Sequence, residues 1–122
     1  MRRGPYAHRA GIEGLRSLWA AERRPTAVFC ANDVIAIGAL NEAARLGVRV
    51  PGELTIVGFD DIAMAAWDVF ELTTVRQDLG RMATTTAELL LDRIEAPSLA
   101  ARERVVPTSL VLRASHGPRH AG

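Results

Sequence analysis

The chain has 122 residues, is 48% apolar and 24% charged, and carries 15 basic against 14 acidic residues for a net charge of +1. That is apolar material for one modest domain and excludes compositional disorder. The balanced charge excludes a strongly basic nucleic-acid footprint on these residues, though not a separate DNA-binding module.

The opening Met1-Arg-Arg-Gly-Pro-Tyr6 is basic, but no apolar run follows it. Neither a signal peptide nor a membrane span is expected. Residues 8–22 place Ile12, Leu15, Leu18 and Trp19 at helical spacing, Pro25 stops the helix, and Trp19 is expected in the core. Thr26 to Ala31 is a short apolar run suited to a buried strand. Cys30 lies in that run and is the only cysteine. No intrachain disulfide can form, which fits a reducing cytoplasm, and the setting marks a small core residue rather than a nucleophile. Residues 33–46 follow as a helix. Asn32 or Asp33 can cap it, Val34, Ile37, Leu40 and Ala44 form an apolar stripe, and Gly47 ends it. After a loop at Pro51-Gly52, Leu54 to Phe59 reads as a second buried strand. The βαβ unit so formed predicts parallel strands with a right-handed crossover.

Residues 62–71, with Trp67 and Phe70, read as a short helix or packed loop, and Leu72-Thr-Thr-Val75 as a short strand or extended connection. Residues 79–95 predict a helix with Leu79, Met82, Ala83, Leu89, Leu90 and Ile94 apolar. Residues 97–102 form a loop, 104–113 one or two β-branched strands, and 116–122 a disordered tail. His8, His116 and His120 lie near the ends and are expected on the surface. No metal-ligand spacing is present, and no cofactor is implied.

In an open α/β sheet, ligands bind beyond the carboxyl ends of the strands. Asn32 and Asp60 stand at two such ends. A carboxylate can accept from two neighbouring sugar hydroxyls, and an amide can donate to one oxygen while accepting from another. The pair suits a polyol or ribose better than a phosphate, and the chain has no glycine-rich phosphate loop. Each residue also has a plain structural reading, Asn32 as a helix cap and Asp60-Asp61 as a solvated turn. An acidic pair could also hold Mg²⁺ for phosphotransfer or hydrolysis, but the further carboxylates Asp68 and Asp78 are remote. There is no nucleophile elbow and no arguable acid/base pair, so an enzyme is not expected.

The blocks Arg24-Pro-Thr-Ala-Val-Phe-Cys-Ala-Asn-Asp33, Ala36-Ile-Gly-Ala39, Gly47-Val-Arg-Val-Pro51, Ile56-Val-Gly-Phe-Asp-Asp61, Leu72-Thr-Thr-Val-Arg-Gln77 and Pro107-Thr-Ser-Leu-Val-Leu-Arg-Ala-Ser115 run in order along the chain. Together they resemble the sensor domain of the LacI/GalR family of bacterial transcription regulators. The resemblance implies a partial periplasmic-binding-protein-like (type I) α/β fold. Residues 1–115 would be a truncated carboxyl-terminal lobe, a parallel sheet with flanking helices, without the family's helix-turn-helix. It implies a cytoplasmic homodimer that responds to a sugar or related small molecule and reaches operator DNA only through that missing module. Asn32, Asp60 and Gln77 match effector-contacting positions, with an ordinary strand-end glutamine the alternative for Gln77. Ile37, Ala63 and Trp67 are implied as dimer-interface positions, with intramolecular core the alternative for Ile37. The helix at 79–95 matches one that packs on the other lobe. This chain has Phe70-Glu71 ahead of Leu72-Thr-Thr, where the family often has proline. A periplasmic-type sugar carrier of the same fold is the second reading.

Overall fold

The computed structural model describes residues 7–118. Two compact units are present, one running to Arg76 and resuming at Leu110, the other Gln77–Ser109. The elements in order are α1 (His8–Trp19), β1 (Ala27–Phe29), α2 (Asp33–Arg45), β2 (Thr55–Asp60), a 3-10 turn (Ala63–Ala66), β3 (Thr73–Gln77), α3 (Leu79–Glu95) and β4 (Thr108–Val111). The sheet order is β1-β2-β3-β4. β1 pairs parallel with β2, Phe29 opposite Val57, and β2 pairs parallel with β3, Val57 opposite Thr73 and Asp60 opposite Arg76. The expected parallel βαβ unit is therefore present.

α1 ends at Trp19, three residues earlier than its apolar spacing predicts. Arg24 caps this end. Its guanidinium lies 5.1 Å over the Trp19 ring, and its Nε donates to the Trp19 carbonyl at 3.0 Å. This satisfies a carbonyl that the helix end leaves without an internal donor. Leu15 is buried, whereas Trp19 is only half-buried and packs at the margin of the core.

α2 begins on the Asn32 side chain, whose Oδ1 accepts from the Ile35 amide at 2.9 Å. It ends where Gly47 takes a positive φ of 69°. There Gly47 N–H donates to Ala44 and Val48 N–H to Ala43, the paired bonds of a Schellman stop. The buried face differs from the predicted stripe. Ala36, Ile37, Gly38, Ala39 and Ala43 are buried, while Val34 and Ala44 are exposed. The helix packs against both α1 and β2, so it buries two faces rather than one stripe. Ile37 is 3% exposed and belongs to the core. This is the intramolecular-core alternative weighed for it, not the interface one.

Small residues let the α1 and α2 backbones touch. A methyl group at Gly38 would overlap the His8 carbonyl oxygen, and one at Gly11 would overlap that of Ile35. Glu42, 2% exposed, sits at the same junction. It takes Arg16 Nε at 2.9 Å on Oε1 and Arg45 Nε at 2.9 Å on Oε2.

The carboxyl-terminal segment is not loose where it was expected to be. Ser115 is buried, and its Oγ donates to the Ile56 carbonyl at 2.6 Å and accepts from the Thr73 amide at 2.8 Å. His116 Nδ1 lies 2.9 Å from the Thr73 hydroxyl, and the Gly117 amide reaches Thr55. The buried polar ends of β2 and β3 need these partners. The remainder of the expected tail, with His120, and the basic stretch Met1–Tyr6 lie outside the described residues.

In the second unit, α3 has the predicted bounds. Asp78 caps it through Arg81 N–H at 2.8 Å, and Arg93 Nη1 closes it on the Pro97 carbonyl at 3.1 Å. No residue of α3 is buried, and Leu90, Leu91 and Ile94 are exposed.

Gly38→Ala is expected to destabilise by about 1–3 kcal/mol through forced separation of the two helices. Gly14→Ala, whose added methyl meets no atom within 4 Å, should instead gain about 0.5–1 kcal/mol from helix propensity. Urea titration distinguishes them. Hydrogen bonds from Arg45, then from Arg16, hold the Glu42 carboxyl down at about 2, against an ordinary 4.5. Glu42 therefore stabilises the fold above pH 4.5, and that contribution is lost as the pH falls toward 2. Glu42→Gln should flatten the acid limb of the stability curve in this window.

Candidate functional site

β1 and β2 run parallel, so Asn32, three residues past the end of β1, and Asp60, the last residue of β2, both fall at the carboxyl end of these two strands in the first unit. Asn32 is both a cap and a ligand candidate. Its Oδ1 is committed to Ile35 N–H, so its Nδ2 is the group left to donate to a ligand.

Asp60 and Asp61 have positive φ values of 114° and 54°. Side chains other than glycine are strained in this region, aspartate and asparagine least. The turn therefore needs holding on both sides. On one side, Asp61 pairs with Arg76 Nε at 2.6 Å and Arg113 Nη2 at 2.7 Å. Burial pushes its carboxyl up, but the hydrogen bonds and charges of Arg113 and Arg76 more than reverse this, leaving it below the ordinary range. Arg113 Nη1 also donates to the Leu72 carbonyl at 2.8 Å. On the other side stands Asp33, with no exposed surface. Its Oδ2 accepts from Ile62 N–H at 2.9 Å, and its Oδ1 accepts from the Thr74 hydroxyl at 2.5 Å.

Burial pushes the Asp33 carboxyl up. Its bonds from Thr74 and Ile62 pull against that rise, and the charges of Asp60 and Asp61 add to it. The neighbouring Cys30 thiol is pushed up to about 11 by burial and by the Asp33 charge. It stays protonated and unreactive near neutral pH, as expected of a core cysteine.

Asp33, Thr74, Arg113 and Ser115 are absent from the sequence-derived site. An acidic residue in the first turn of a helix is itself a readable signal. That this one is buried and bonded across the sheet depends on two segments 29 and 41 residues further along the chain. The Mg²⁺ alternative loses its donor set, because Asp61 is already engaged by two guanidiniums. Among the described residues, no group of three or more His, Cys, Asp or Glu is placed to hold a metal ion. Gln77, the last residue of β3, is half-buried in the second unit. It lines a shallow groove there of about 220 Å³ with Asp78, Met82, Thr85 and Arg104. Ala63 and Trp67 are exposed, and the Trp67 ring stacks on Phe70 at 6.4 Å.

The parallel sheet with polar strand tips is of the periplasmic-binding-protein class. Residues 2–116 match the periplasmic binding protein-like domain family. The chain is 35% identical over 113 residues to the HTH-type transcriptional repressor CytR of Escherichia coli, covering 93% of this chain and 33% of that one. It is 39% identical over 105 residues to the ribose operon repressor of Haemophilus influenzae, covering 86% and 32%. A LacI family transcriptional regulator from Enterococcus faecium, solved with bound ribose, superposes with a TM-score of 0.79 at 30% identity, covering 93% and 41%. The chain belongs to the periplasmic binding protein-like domain family. It spans about a third of the length of the curated relatives it matches.

Arg113→Met is expected to cost about 3 kcal/mol, the low end for breaking a buried ion pair, since Arg76 remains on Asp61. The loss should shrink on the acid side, where Asp61 protonates. Chemical denaturation at pH 7 and pH 3 measures both.

Proposed function

We propose that these residues are the carboxyl-terminal effector-sensing lobe of a LacI/GalR-type repressor that acts in the cytoplasm as a homodimer and is not an enzyme. What supports the reading is that Asn32 and Asp60 both lie at the carboxyl ends of neighbouring parallel strands in a chain of this family. Asp60 accepts from two neighbouring hydroxyls of a sugar or related polyol, and Asn32 Nδ2 donates to a third oxygen. Gln77 is assigned to the same effector by the resemblance to the family. The ribose bound in the Enterococcus faecium relative supports a sugar as the chemical class.

In the whole regulator, effector would bind the closed arrangement of two lobes better than the open one. Operator affinity would change by that difference alone. DNA contact would come from a helix-turn-helix, as the names of the repressor relatives imply for those proteins. The exposed Leu90, Leu91 and Ile94 of α3 are assigned to packing on the other lobe, and the exposed Ala63 and Trp67 to the homodimer surface.

The test is a thermal-shift and calorimetric screen of sugars, polyols and nucleosides, D-ribose included, on the protein expressed from its native reading frame. At least one compound should bind. Asp60→Asn, which tolerates the positive φ, should bind it at least about tenfold more weakly, the scale of a lost charge-assisted hydrogen bond. Equal affinity in the variant, or no response to any compound, contradicts the reading.

A further inference from the structure

The geometry points to Asp33 as the positioning residue of the effector site: fully buried itself, it holds the Asp60–Ile62 turn in the shape that presents Asp60 beside Asn32. This rests on the effector reading above and adds to it a residue that touches no ligand.

Four observations converge. First, both Asp33 oxygens are engaged, and by different elements. Oδ2 takes Ile62 N–H at 2.9 Å, directly after the turn, and Oδ1 takes the Thr74 hydroxyl at 2.5 Å, on β3. Second, the turn it grips contains consecutive residues at φ 114° and 54°. Such a conformation persists only where its surroundings determine it. Third, β2 makes room for this carboxylate. A methyl group at Gly58 would overlap Asp33 Oδ1 and approach Leu72 to 3.1 Å. Gly58 lies two residues before Asp60 on the same strand. Fourth, Asp33 follows Asn32 directly and opens α2. One dipeptide thus supplies a ligand-facing amide and the anchor for the opposite wall, so the spacing between Asn32 and Asp60 is set through Asp33.

The charged and titratable groups facing Asp33 are the Asp60 and Asp61 carboxylates from the turn and the Cys30 thiol from the end of β1. Arg113 and Arg76 neutralise Asp61 but reach neither Asp33 oxygen. The hold on the turn is therefore a pair of hydrogen bonds to an acceptor, not an ion pair. An amide oxygen at this position can replace it in part.

The experiment is NMR of the isotopically labelled protein. In the wild type, the Ile62 amide and Thr74 signals should titrate together with the Asp33 side-chain carbon. If they follow Asp60 or Asp61 instead, the proposal is overturned without any variant. Asp33→Ala should change the amide–α coupling constants of Asp60 and Asp61 and speed Ile62 amide exchange at least about tenfold. Amides at the contact of α1 with α2 should keep their wild-type protection. Asp33→Asn, which retains an acceptor for Ile62 N–H, should restore most of the turn.

Unchanged couplings at Asp60 and Asp61 in Asp33→Ala overturn the proposal, as does a uniform loss of protection over the whole domain. Should Asp33→Ala fail to fold, Thr74→Val removes one of the two bonds, and the wild-type titration still decides. None of these readouts needs a sugar. If the screen finds no effector, the functional reading falls while the result on the turn stands. If a sugar binds the wild type and Asp33→Ala with equal affinity, the positioning role falls and the functional reading stands.

Discussion

One buried carboxylate organises the carboxyl end of β2 and the turn that follows it. Asp33 has no exposed surface and accepts hydrogen bonds from Ile62 and from Thr74. An ionised group in that position is costly unless every lone pair facing the interior has a donor. The donors lie 29 and 41 residues beyond Asp33 in the chain, so satisfying Asp33 requires the turn after β2 and the strand β3 to be in place together. The absence of a side chain at Gly58 and the unusual backbone of Asp60 and Asp61 are consequences of that arrangement. Arg113 and Arg76 brace the outer side of the same turn through Asp61.

The opposite side of α2 follows a different logic. Gly11 and Gly38 bring two backbones into contact, with Ala39 beside them. Close approach replaces large interdigitating side chains as the source of packing. The ion cluster on Glu42 then joins α1 to α2 through Arg16 and ties Arg45 back onto its own helix.

These two regimes explain what could be read from the sequence. The parallel βαβ order, the bounds of α3 and the positions of Asn32 and Asp60 were legible, because an apolar run ending in a polar tip is a local pattern. The phase of the buried face of α2 was not. A stripe through Val34 and Ala44 assumes one partner, and this helix has two. Ile37 fell on the core side for the same reason. Asp33 reads as a cap or a solvated acid until Thr74 and Ile62 are brought to it. The segment after Ser115 looks loose by composition, because the residues that hold it, Thr73 and Thr55, lie 43 and 62 residues earlier in the chain. The family resemblance pointed to Asn32 and Asp60 without revealing what supports the turn beside them.

Ser115 carries a consequence for the order of events during synthesis. The seam between β2 and β3 opens at Ile56 and Thr73, and it is bridged there by a hydroxyl and a carbonyl from residue 115. Both strands leave the ribosome well before that residue does. Until it arrives, the Ile56 amide and carbonyl and the Thr73 amide lack their native partners. The polypeptide can assemble its helices early, but the sheet is completed only when the last block of the domain has been translated. Termination ahead of residue 115 would release a chain with an open strand pair, the kind of unsatisfied backbone that other strands can bind.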